Sequence, residues 1–220
     1  MTKPRPGKFI TLEGGEGGGK STQISRLKQA LENAGLTVIT TREPGGTPSG
    51  ERIRTLLVEG EPGSLSPISE ALLNFAQRAE HLERVIKPAL ARGAWVISDR
   101  FADSTMAYQG YGHRLGRKPI EALYKLVCGS FKPHLTVILD VPVELGLERA
   151  ASRRGSETRY ERMETAFHER LRRGFLDIAR RDKKRCALID ASEPTDAVTA
   201  AVLAAVSRRL KVKLQSKTSP

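Results

Sequence analysis

The chain has 220 residues, 39% of them hydrophobic and 28% charged, the composition of a globular domain with a real core rather than of a disordered or fibrous chain. Its longest apolar-leaning run, AVTAAVLAAV (197–206), is too short to span a bilayer, and the N-terminal MTKPRPGK is basic rather than apolar. No membrane association and a cytoplasmic location are therefore expected. The net charge of +12 is concentrated in residues 149–185, with thirteen Lys/Arg against six Asp/Glu, and in RRLKVKLQSK (208–217). A chain only 5% aromatic lacks the stacking residues of a nucleic-acid binder, and a block of this kind suits phosphorylated small molecules equally well.

In chain order, KFITLE (8–13) reads as a strand, and a helical stretch follows over 20–33. Between them, GGEGGGKS (14–21) matches G-x-x-x-x-G-K-[ST], in the strand-loop-helix setting that defines a P-loop. Gly14, Gly15, Gly17, Gly18 and Gly19 bring bare backbone amides to a nucleotide's phosphates, and the helix N-terminus adds its positive end. Lys20 is placed to reach the β- and γ-phosphates, with Thr22 just behind it; the Ser21 hydroxyl is a Mg²⁺ ligand. Gly35 caps the first helix ahead of a second strand, LTVITT (36–41). TREPGGTPSGERIR (41–54) then leads into helices at 47–59 and 66–92, the latter with Pro67 near its start.

Gly93 precedes a third strand, AWVISD (94–99), which runs into SDRFADSTMAYQGYG (98–112). Asp99, at a strand end, is the natural Mg²⁺ partner, and Arg100 beside it neutralises a phosphate. Helices follow at 103–111 and 117–129, then strand HLTVILDV (134–141), a helix over 143–153 and the Arg-rich ERAASRRGSETRYE (148–161). A helix over 160–182, strand CALIDA (186–191) and a helix over 194–211 complete the pattern. Cys128 and Cys186 match no metal spacing and read as two reduced thiols. Strands with continuous rather than alternating apolar character, each followed by a helix, predict one α/β domain with a parallel sheet over 1–220. No linker or repeat divides it.

A P-loop alone does not choose among GTPases, ATPases and kinases. No N-K-x-D for guanine is present, and position 15 is glycine where a partition ATPase carries lysine, which leaves small-molecule kinases ahead.

EGGEGGGKST, TREPGG, DRFADSTMAYQG and LDVPVELGLERA together resemble bacterial thymidylate kinases across nearly the whole chain. The resemblance implies a P-loop kinase fold, with a five-stranded parallel sheet, helices on both faces, a mobile Arg-rich lid at about 149–160, a homodimer, and phosphoryl transfer from MgATP to dTMP in dTTP biosynthesis. It assigns Glu16 in the P-loop to the acceptor nucleotide and its sugar. Arg153 and Arg159, with Arg154 nearby, become transition-state arginines of the lid, and Arg149 an adenine-side contact. Arg54 and Arg100 correspond to contacts of the dTMP phosphate, Arg42 and Glu43 to the R-E-P turn, and Arg78 to the donor to thymine O4. Thr105 and Gln109 correspond to base-edge and N3 contacts, and Tyr108 to the ring under the sugar. One departure stands out: Asn74 occupies the family's usual stacking phenylalanine position, and Phe75, the candidate base contact, lies one residue on, about 100° around the helix. Kinases of another nucleotide or nucleoside therefore remain open, whereas a nucleotide-dependent nucleic-acid binder is disfavoured by the missing aromatic interleaving.

Overall fold

In the computed structural model, residues 7–59, 61–152 and 159–214 are described. Five strands form one sheet: β1 (Phe9–Glu13), β2 (Val38–Arg42), β3 (Trp95–Asp99), β4 (Leu135–Asp140) and β5 (Cys186–Asp190). Their order is β2-β3-β1-β4-β5, and every neighbouring pair is parallel, as the apolar runs predict. The chain leaves β1 toward one side and returns for β4 on the other, so β1 is central and its carboxyl end is a topological switch point. Open α/β sheets bind ligands at such points.

Both faces of the sheet are covered. Ile10, Leu12, Ile97 and Val137 pack against Leu27 of α1 (Lys20–Asn33) and, among the remaining helices, against Val202 and Val206 of the last one, α9 (Thr195–Leu210). On the opposite face, Phe9, Val96 and Ile138 meet Phe75, Phe101, Phe167 and Phe175. Burial of this kind contributes roughly 25 cal/mol per Å² of apolar surface. Thr11 and Thr136, facing each other across β1 and β4, satisfy one another at 2.9 Å.

Helices α2 (Pro48–Val58) and α3 (Pro67–His81) begin where sequence logic puts them, behind Thr47 and Ser66, whose hydroxyls cap Gly50 N and Ser69 N. The expected single helix at 66–92 is interrupted. A π turn (Leu82–Ile86) separates α3 from α4 (Lys87–Ala91), where Pro88 can offer no N–H to the carbonyl four residues back. The expected helix at 103–111 is likewise one α-turn, α5 (Ala102–Thr105), and then a π turn (Met106–Gly112). α6 (Arg117–Cys128) and α7 (Val143–Ala151) follow expectation closely. The helix expected from 160 begins only at Thr165, as α8 (Thr165–Arg181). Arg159 and Tyr160 both turn into the same buried network, which adjacent residues 100° apart on a helix could not do.

Candidate active site

The P-loop starts at the carboxyl end of β1. Its glycines are required by contact as much as by conformation. Gly17 has φ 69° and lies so close to α7 that a Cβ there would fall 1.9 Å from the Gly146 carbonyl oxygen; one on Gly14 (φ 137°) would fall 2.4 Å from Leu139 O. Lys20 folds back over the loop, its Nζ donating to Gly15 O at 2.9 Å and Gly14 O at 3.2 Å. Burial, with Arg100 alongside, lowers its pKa to about 8. Ser21 and Thr22, at the start of α1, are exposed.

β3 delivers Asp99 and Arg100 to the same place. Leu12 and Asp99 are register partners, and Arg100 N donates to Leu12 O at 2.9 Å. Arg100 adopts φ 69°, unusual for a residue with a Cβ and a sign of backbone strain stored at a functional site. The turn aims its guanidinium across the loop, with Nη1 to Gly14 O at 2.9 Å, Nη2 to Glu16 Oε1 at 3.1 Å, and the group lying over the Tyr108 ring. Tyr108 donates its hydroxyl to Glu16 as well. Burial opposes ionisation of Glu16, but Arg100 and Lys20 outweigh it and hold its pKa at about 2. The P-loop acid is therefore a fixed anion, clamped between Arg100 and Tyr108.

Asp99 Oδ1 is buried and has no hydrogen-bond partner among the described residues. An orphaned carboxylate oxygen at a strand end is a hard oxygen donor, and it fits a Mg²⁺ ion or its water shell. Glu13, at the end of β1, is also fully buried. Ser104 Oγ donates to its Oε2 at 2.5 Å, and its Oε1 has no partner among the described residues. Burial and neighbouring Asp103 push its pKa up to about 8, so at neutral pH it is mostly a protonated acid.

On one side of Glu16 opens a cavity of about 110 Å³. Of the expected acceptor residues, Glu16, Glu43, Arg54, Arg78, Arg100, Thr105, Tyr108 and Gln109 all line it. Arg78 is almost wholly buried, with Nε on Glu43 Oε2 at 2.7 Å and Nη2 on Thr105 Oγ1 at 2.9 Å; its Nη1 has no partner among the described residues. Arg54 Nη1 donates to Pro44 O at 2.7 Å. The π turn after α5 carries both Tyr108 and Gln109 into the wall.

Two expected contacts lie elsewhere. Phe75 does not line the cavity: it is core, beneath the Arg78 guanidinium at 4.6 Å, and Asn74 takes the place in the wall. One residue of helix rotation decides this, so the reading of Phe75 as a base contact is corrected. Arg42 points away, pairing with Glu51 of α2 at 2.9 Å on the surface, while Glu51 also caps Gly46 N.

Arg153 and Arg154 lie in 153–158, the half of the expected lid that falls outside the described residues. Arg159 is described, and it is buried: it pairs with Glu70 and donates to Leu57 O at 2.8 Å, beside the acceptor cavity. Glu70, Phe101 and Tyr160 are site residues that sequence reasoning missed. The aromatic following Arg159 was the available signal for Tyr160; for Glu70, one acid among many on a helix, there was none.

Across the P-loop a second cleft is lined by Gly17, Gly18, Gly19, Thr22, Arg149 and the 191–195 turn. Arg149 is anchored there, donating to Ala191 O at 2.6 Å and Ser192 O at 3.2 Å. One anion-binding loop thus separates two clefts, an arrangement that brings a donor and an acceptor phosphate together. Among the described residues no helix is long and apolar enough to cross a membrane.

Comparison with known proteins identifies the family. The family model "Thymidylate kinase" matches residues 12–202. The thymidylate kinase of Caulobacter vibrioides is 56% identical over 93% of this chain and 98% of its own length, and that of Nitrobacter hamburgensis 51% identical over 94% and 90%. The crystal structure of thymidylate kinase from Ehrlichia chaffeensis superposes with a TM-score of 0.73 at 36% identity, covering 92% of this chain and 99% of that one.

Proposed function

This chain belongs to the thymidylate kinase family, and from that premise we propose that it transfers the γ-phosphoryl group of ATP to dTMP, giving ADP and dTDP for dTTP synthesis. The observation that carries this reading is the acceptor cavity, which opens beside the P-loop and combines phosphate-binding arginines with one partnerless, buried Arg78 N–H.

The donor triphosphate lies along the P-loop amides, with Lys20 swinging from the loop carbonyls onto its phosphates and Arg149 flanking the adenine. Ser21 and Asp99 would hold Mg²⁺, which when bound neutralises charge on the β- and γ-phosphates. The acceptor phosphate lies against Arg54 and Arg100. An ionised phosphate monoester is already a nucleophile, so positioning and charge neutralisation carry the catalysis and no general base is needed. Glu16, an anion held by Arg100 and Tyr108, accepts from the sugar hydroxyl and keeps Arg100 aligned. The Tyr108 ring closes the space beneath the sugar against a 2′-hydroxyl. Lid arginines, Arg153 among them, stabilise the equatorial oxygens on closure. Arg159 reaches that centre only by leaving Glu70; its present contacts support a role in the acceptor wall.

We further propose a homodimer. Leu56 on α2, Ile68 and Leu72 on α3 and Leu126 on α6 are exposed apolar residues on neighbouring helices, and a second copy would bury them.

A coupled ADP-release assay with MgATP and dTMP, dUMP, UMP, dCMP, AMP, dGMP or thymidine tests the activity. Strong preference for dTMP is expected, lost in Lys20→Ala with the fold retained. Near-normal turnover in that variant, or turnover confined to another acceptor, overturns the reading. Light scattering of the eluting protein tests the dimer: a monomer mass at micromolar concentration refutes it.

A further inference from the structure

Glu70, in the first turn of α3, is completely buried beside the acceptor cavity. A buried carboxylate needs donors on all sides, and several converge on it. Arg159 pairs with Oε1, while Gln109 Nε2 at 2.8 Å and the Tyr160 hydroxyl at 3.0 Å donate to Oε2. His113 Nε2 stands 3.4 Å from Oε2 without hydrogen-bond geometry.

The chemistry of the pair removes an ambiguity. A glutamine amide can present either its oxygen or its NH₂ group, whereas a carboxylate paired with arginine only accepts. Gln109 must therefore turn Nε2 toward Glu70, and its second contact, the Tyr160 hydroxyl at 3.3 Å, engages the same nitrogen. The atom left for the cavity is Oε1, an acceptor. Arg78 stands in the same wall, its Nη1 without a partner and able only to donate. Acceptor and donor in one wall complement a ring N–H next to a carbonyl, as in thymine or uracil. Cytosine reverses both groups, setting a lone pair against Gln109 Oε1 and an amino group against Arg78.

We propose that Glu70 is the positioning residue that sets the polarity of base readout, holding the Gln109 amide so that the cavity selects a keto pyrimidine and rejects an amino one. The inference rests on the kinase reading above and deepens it. It also gives Glu70 and Arg159 a joint role: the arginine keeps the carboxylate in place, and the carboxylate orders the glutamine.

The test compares wild type, Glu70→Gln, Glu70→Leu and Arg159→Lys, measuring kcat and KM for dTMP and dUMP with MgATP and the inhibition constant of dCMP. Glu70→Leu/Arg159→Leu replaces the single leucine variant if an unpaired Arg159 prevents folding. Removing the acceptor frees the Gln109 amide to turn over, so in the leucine variant the ratio of dCMP inhibition constant to dTMP KM should fall by about tenfold or more. That change should come from a higher KM for dTMP and tighter dCMP binding, with kcat and the dUMP-to-dTMP ratio unchanged. Glu70→Gln has one amide oxygen, which Arg159, able only to donate, should take. Its NH₂ group then faces Gln109, and the ratio should fall as in the leucine variant. Arg159→Lys keeps the carboxylate as acceptor and should retain the wild-type ratio. An unchanged ratio in the folded leucine variant overturns the proposal, as does an equal fall in Arg159→Lys, which would assign the effect to the Arg159 pair. Wild-type enzyme that fails to phosphorylate dTMP overturns the activity reading and this inference together, whereas active wild type with an unmoved ratio overturns the inference alone.

Discussion

Replacing Glu43 with leucine should expose the energetic weak point of the acceptor wall. Glu43 follows β2 and is joined to Pro44 by a cis peptide bond. It is 2% exposed, and its two oxygens are divided between Arg78 Nε at 2.7 Å and His81 Nδ1 at 2.9 Å. His81 has a second partner in Thr41 Oγ1 at 2.6 Å; Arg78, 1% exposed, keeps among the described residues Thr105 and the faces of Phe75 and Phe101. Breaking a buried ion pair from one side costs about 3–5 kcal/mol, because a charge is left without its counter-ion. The two ring faces offset part of this, by roughly 1 kcal/mol. A net loss of about 3 kcal/mol corresponds to a Tm fall of roughly 6–12 °C for a domain of this size. Reversible urea unfolding of Glu43→Leu, Arg78→Met and the double variant, followed by far-ultraviolet circular dichroism, measures it. The double variant buries no charge and should be more stable than Glu43→Leu, although its recognition of dTMP is lost. A single variant within about 1 kcal/mol of wild type, or a double variant as costly as the two singles combined, refutes the reasoning.

Three further outcomes are expected. Glu13, raised to about 8, is protonated in the folded protein where the unfolded chain has already released its proton. Its contribution to stability is therefore whole below about pH 4.5 and is lost as the pH climbs through 8. Glu13→Gln should match wild type near pH 4.5 and exceed its stability by about 1–3 kcal/mol above pH 8; parallel stability curves for the two proteins would contradict this. Asn74→Phe places a ring in the acceptor wall and should lower the KM for dTMP by about tenfold through base stacking, where an unchanged or higher KM would show that the wall has no room for it. Gly17→Ala sets a methyl group 1.9 Å from the backbone oxygen of Gly146, in a left-handed conformation, and should abolish ATP binding measured by calorimetry. Wild-type affinity in that variant would mean that α7 does not press on the loop as described.

Much of this molecule is legible along the chain, because the signals involved are local. Five runs of Ile, Val and Leu name the strands since a parallel sheet buried on both faces admits little else. GGEGGGKS names the phosphate loop since only glycine tolerates the positive φ and the close approach at Gly14 and Gly17. The pairing of Asp99 with Arg100 at a strand end, and the order of residues across DRFADSTMAYQG, place the acceptor side for the same reason. Helix ends were less legible where tertiary contacts overrode helical period: the 82–86 segment ahead of Pro88 and the 106–112 segment widen into π turns, and the chain before Thr165 is drawn out of helix as Arg159 and Tyr160 turn to Glu70.

What the linear order leaves open is the partner of each charge. An arginine looks the same in the chain whether it meets a phosphate, a carbonyl or a buried acid, because that depends on which distant element the fold brings within 3 Å. Thus Arg42 goes to the surface with Glu51, Arg159 comes across to Glu70 from 89 positions away, and Phe75 sinks into the core while Asn74 faces the cavity. Residue chemistry is a local property and is carried by the chain itself; polarity at the base edge arises from Glu70, Gln109 and Arg78 meeting in space, and only packing decides that.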